Sequence, residues 1–182
     1  MRKKLLNPIA MFIIGLCAGA LSRLLDIYTL NQGEIFSQMA VWILLGTLIS
    51  IYSETSGRAA ANTLAFCLGM LIAYYAVAAL SHGVYGKSFI IGWTIFALCS
   101  PVLAWFTWMT KQKGMCPRLI SIGIVAVSVL SSVLLFDGFR LYDLLIDGCL
   151  IYVLFFADVQ RGTAGRGLKK TGMTRRGKGS HE

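Results

Sequence analysis

The stretch AAANTLAFCLGMLIAYYAVAAL, residues 59–80, runs for twenty-two positions without a charged side chain. A helix needs about 20 residues to cross the hydrocarbon core of a bilayer, so this stretch is long enough to span one. Reading outward from it finds five more apolar runs, at 8–28, 35–52, 89–109, 119–136 and 141–157. The first and last reach full length only by including ionisable residues: Arg23 and Asp26 in one, Asp143 and Asp147 in the other.

Composition excludes a water-soluble globular domain. Of 182 residues, 57% are hydrophobic and only 14% charged, and the mean hydropathy is +0.71. The runs lack the strict in-out alternation of a transmembrane barrel. Lipid offers no hydrogen-bond partner, so each run must satisfy its backbone by closing into a helix. The expected fold is all-α, a polytopic membrane bundle of six transmembrane helices over residues 1–157. Short connections imply that sequence neighbours pack antiparallel. Residues 158–182, rich in glycine, lysine and arginine, read as a disordered basic tail.

Lysine and arginine occupy alternate gaps. Arg2, Lys3 and Lys4, then Arg58, then Lys111, Lys113 and Arg118, then seven residues of the tail place fourteen cations on one side. Arg23, Lys87 and Arg140 are all that the other side holds. The positive-inside rule therefore predicts two cytoplasmic termini, in the cytoplasmic membrane of a bacterium. The lipid bilayer is the implied partner, and the tail suits anionic lipid headgroups. Nucleic acid is not expected, because no aromatic interleaving or folded module accompanies the charge. The start imitates a signal peptide, with Arg2 to Lys4, an apolar run 9–17 and Ala18-Gly19-Ala20. Apolar sequence resumes at Leu24, Leu25 and Ile27, so the segment reads as a retained span.

Small residues recur at helical spacing in two runs. Gly15 and Gly19 continue to Arg23 in the first, and Ala61, Ala65, Gly69 and Ala73 form a stripe in the third; both read as helix-packing surfaces. Pro101 predicts a kink in the fourth run. Trp93, Trp105 and Trp108 approach the two ends of that run and read as an interfacial belt. Ser121, Ser128, Ser131 and Ser132 are expected to bond to their own helix or across to a neighbour.

The exceptions to the pattern mark the candidate site. Arg140, Asp143 and Asp147 are spaced i, i+3, i+7 and so share one helical stripe. Arg23, at matching depth in the first run with Asp26 beside it, is the expected partner of Asp143 and of Asp147. One reading is an ion-pair staple between the first and sixth helices, since a charge near a membrane centre costs about 2.5 to 3.5 kcal/mol. The other adds a ligand: Arg23 binding an anion, or the two aspartates a cation. Glu34, Gln38, Tyr74, Tyr75 and His82 would then line the outer side. An unpartnered aspartate there would suit proton coupling.

Enzyme chemistry lacks residues. His82 and His181 are the only histidines, and no HExxH, phosphate-cradling glycine loop or Asp-rich metal motif occurs. Five cysteines show no metal-ligand spacing; free buried thiols are expected in the spans, with Cys116 in a loop. No cofactor or metal is implied.

In length, in its six hydrophobic spans over Ile9 to Ala157 and in its cytoplasmic ends, the chain resembles the small six-helix bacterial integral membrane proteins grouped in uncharacterised families. In outline it is also similar to the substrate-binding S components of energy-coupling-factor transporters. Those capture vitamins or metal ions at the outer face and dock on a partner membrane protein through small residues of the first helix. That likeness implies a docking role for Gly15 and Gly19 and transfers no substrate-binding residue. The function expected is binding or transport of a small solute or ion, with a non-transporting scaffold or accessory protein as the rival.

Overall fold

Thr55 accepts a hydrogen bond from the Arg58 N–H at 3.2 Å, and this N-cap starts a helix at Ser56, three residues before the apolar run that follows it. The computed structural model describes residues 6–28, 39–81, 87–135, 141–157 and 159. Among these residues there are six helices and no strand: α1 Pro8–Tyr28, α2 Met39–Tyr52, α3 Ser56–Leu80, α4 Lys87–Met109, α5 Met115–Leu135 and α6 Leu141–Ile151. The last continues as a π-helical turn, Tyr152–Phe156, closed by the Ala157 N–H on the Tyr152 carbonyl at 3.0 Å. α1, α3, α4 and α5 are long and apolar enough to cross a membrane, while α2 is shorter over the described residues.

Local chemistry sets the joints. α4 runs on through Pro101, whose ring removes the N–H that would bond Ala97; the Ser100 hydroxyl donates to that carbonyl instead, at 2.7 Å. Gly114 turns the chain into α5 at a φ of +142°, a conformation that side chains with a Cβ rarely adopt. α5 starts four residues before its apolar run, taking Pro117 into its first turn, where the ring is tolerated.

Burial is inverted relative to a water-soluble protein. Ser50, Ser53, Asn62, Ser128 and Asp143 have no exposed surface, whereas Ile9, Leu80, Leu134 and Phe156 are each at least 70% exposed. Such a surface is stable in lipid and costly in water. α2 lies at the centre: Tyr52 is its one exposed residue, and it packs against α3, α4, α5 and α6. Its Trp42 belongs to a core with Met11, Phe66, Met70 and Ala97, and its Ile51 to a second core with Leu150 and Leu154.

The tightest seam joins α1 to α3. A Cβ added at Gly15 would overlap the Phe66 carbonyl oxygen, one at Gly19 the Met70 carbonyl, and one at Gly69 the Phe12 carbonyl. Backbone therefore meets backbone from both sides. Partners advance together, Gly15 beside Phe66 and Gly19 beside Met70, so these two helices are parallel rather than antiparallel. Apolar attraction between helices is weak in lipid, which leaves close packing of this kind as the main source of association. Of the α3 stripe, Gly69 is buried in the seam, Ala73 is buried, Ala65 is half-buried and Ala61 is exposed.

This seam predicts a sharp contrast among glycines. Gly15→Ala and Gly69→Ala should each lower stability by about 1 to 3 kcal/mol, because the added methyl meets backbone that cannot give. Gly123→Ala, where a Cβ meets nothing within 4 Å, should change it by less than about 0.5 kcal/mol. Unfolding by dodecyl sulfate in mixed micelles measures this, and equal losses at the three positions would contradict the seam.

Candidate functional site

α6 spaces Asp143, Asp147 and Leu150 at intervals of four and three, which puts them on one face, and the π-helical turn adds the buried Leu154. All four are buried, and α6 packs that face against α2 and α5. Two carboxylates thus enter the bundle interior from an otherwise apolar helix. The Ser128 hydroxyl of α5 donates to Asp147 Oδ1 at 2.6 Å. Ser131 and Ser132 turn back to the Ser128 carbonyl, at 2.7 and 3.3 Å, and Ser121 to that of Pro117 at 3.0 Å.

Asp147 is only 3% exposed, and its Oδ2 is buried without a hydrogen bond among the described residues. A carboxylate oxygen in that position can take up a proton or contribute to a small cation's shell, either of which offsets the cost of an uncompensated charge. Asp143 lies one turn nearer the start of α6 and is fully buried. The pair therefore offers two acidic positions along one line. Among the described residues, no three His, Cys, Asp or Glu side chains are grouped to hold a metal ion.

Arg23 is engaged elsewhere. Its guanidinium ion-pairs with Asp26, one turn on in α1, and stands over the Tyr74 ring of α3, 5.6 Å from the centroid. The expected pairing of Arg23 with Asp143 or Asp147 is not made, because the glycine seam sets α1 on α3 and so carries Arg23 to Tyr74. The ring of Tyr75 packs edge-on against that of Tyr74, at 5.5 Å. The staple between the first and sixth helices is thus replaced by an intrahelical pair at the end of the α1–α3 seam. Glu34, Gln38, His82 and Arg140 lie outside the described residues, as do residues 160–182 of the basic tail.

Some of the polar interior carried no sequence signal. Asn62 donates to the Ser53 hydroxyl at 3.1 Å and to the Leu6 carbonyl at 3.3 Å, and Trp108 Nε1 donates to the Ser53 carbonyl at 3.1 Å. Ser53, one residue past the end of α2, thus links it to α3 and α4, and Asn62 ties α3 to Leu6 ahead of α1. Trp93, expected in an interfacial belt, packs edge-on against the buried Trp42 at 6.4 Å. Of the five free cysteines only Cys67 is buried; Cys17, Cys99, Cys116 and Cys149 are exposed.

An apolar exterior, a polar interior and helices of spanning length together define an integral membrane protein of the small helical-bundle class. Residues 1–148 match DUF6518, a family of unknown function, and the chain belongs to that family. The match reaches one residue beyond Asp147. No curated protein and no solved structure matches the chain. The likeness to transporter S components gains no support here, and the Gly15–Gly19 face it implied for docking is covered by α3.

If the Ser128–Asp147 bond couples α5 to α6, Ser128→Ala should cost about 1 to 2 kcal/mol in micelle unfolding. A double-mutant cycle with Asp147→Asn should return a coupling energy above about 0.5 kcal/mol. Strict additivity would show that the two side chains do not interact in the membrane.

Proposed function

We propose that this protein binds and moves a small cation, the proton included, through the polar interior beside Asp143 and Asp147. It would do so in a bacterial cytoplasmic membrane, with both termini cytoplasmic and with no enzymatic step. The observation that carries the reading is the buried Asp147 Oδ2, which receives no hydrogen bond among the described residues although Oδ1 is held by Ser128. Ionisable groups inside a membrane are expensive, and they line proton and ion pathways where they persist. The distribution of lysine and arginine supports the orientation. An anion site at Arg23 loses its basis, since Asp26 already neutralises that cation.

The second reading, an accessory or scaffold membrane protein, is favoured by the short Ser128–Asp147 bond, which ties two helices whatever else it does. Proteoliposomes separate the two. With the full chain reconstituted, an imposed pH or sodium gradient should collapse faster than in empty vesicles. Asp147→Asn should reduce that rate at least about ten-fold, and Asp147→Glu should restore part of it. Leak equal to empty vesicles in the wild type, or a rate unchanged by Asp147→Asn, would leave only the scaffold.

A further inference from the structure

A groove of about 300 Å³ opens on the outer surface between α5 and α6, lined by Ile122, Val125, Ala126, Ile151 and Phe155. Its walls are apolar, and a volume near 300 Å³ is at the small end of ligand sites. Phe155 belongs to the π-helical turn, a departure from α geometry that recurs where helices are shaped for a ligand.

The groove ends beneath a basic rim. Arg118 stands one turn before Ile122 and two before Val125 and Ala126, so the four share one stripe of α5. Arg118 is exposed and lies in the first turn of α5, where the helix dipole also favours a negative group. Lys111 Nζ donates to the Leu154 carbonyl at 3.0 Å and to that of Ala157 at 2.7 Å. Those two bonds fasten the α4–α5 connection, which also carries the exposed Lys113, to the end of α6 at the groove wall.

An apolar slot in line with cations at a membrane-facing end matches an amphipathic anion with a hydrocarbon tail. We propose that the groove seats one acyl chain of an anionic glycerophospholipid whose phosphate is held by Arg118, with Lys113 adding to the field. A second copy of the chain fits poorly there, because a symmetric contact would set the two basic rims against each other. The inference rests on membrane residence and is independent of the role of Asp147.

Native mass spectrometry of the full chain, given phosphatidylglycerol or phosphatidylcholine with the same acyl chains, tests it. The wild type should retain phosphatidylglycerol at least about five-fold better. Arg118→Gln should bring that ratio close to one, Arg118→Lys should keep most of it, and Arg58→Gln, a surface cation outside the groove, should leave it unchanged. Ala126→Phe, which fills the slot, should lose both lipids. Equal retention of the two lipids by the wild type overturns the proposal. So does an equal effect of Arg58→Gln and Arg118→Gln, or a protein dimer that carries no lipid. Should Ala126→Phe fail to fold, the three arginine variants decide alone.

Discussion

Backbone and polar side chains that lose water must find partners within the chain, and nearly every feature of this protein follows from that constraint. Helices satisfy their own peptide groups. Side-chain hydroxyls and amides then turn to carbonyls of their own helix or to the bundle interior, where Ser50 reaches Thr63, Asn62 reaches Ser53 and Ser128 reaches Asp147. The outer faces are left to leucine, isoleucine, valine and phenylalanine.

With no water to expel between helices, association has to come from contact itself. Gly15, Gly19 and Gly69 bring α1 and α3 together at backbone distance, and this places Arg23 over Tyr74 rather than beside α6. α2 then fills the centre, holding one core through Trp42 and the other through Ile51. Because α2 also touches α6, the carboxylate face of that helix is sealed from lipid. The acidic positions owe their burial to the packing of α6 against α2 and α5.

The helices were legible because unbroken apolar runs of spanning length have few other solutions in lipid. The first run and α1 cover the same residues, 8–28, while α3 and α5 start earlier, since Thr55 caps one and Pro117 is tolerated in the first turn of the other. Which helix each stripe would meet was not legible. Gly15 and Gly19 announce a close approach without naming Phe66 and Met70 as its other side. Arg23 had acidic partners on two helices, and the nearest, Asp26, costs less side-chain ordering than a partner on another helix. Trp42 left no trace, for a helix buried on nearly all sides shows no contrast between its faces. The shared stripe of Asp143 and Asp147 could be read from spacing alone; their neighbour Ser128 could not, because it comes from the pairing of α5 with α6.

The central claim, that the exposed surface of this bundle faces lipid, can be tested with the chain's own cysteines. In sealed inside-out membrane vesicles, a membrane-impermeant maleimide should modify Cys116 rapidly. It should leave Cys17, Cys99 and Cys149 untouched even though all three are exposed on the protein, and all five thiols should react once dodecyl sulfate dissolves the bilayer. Labelling of Cys17, Cys99 and Cys149 in intact vesicles at the rate of Cys116 would place that surface in water and contradict the account.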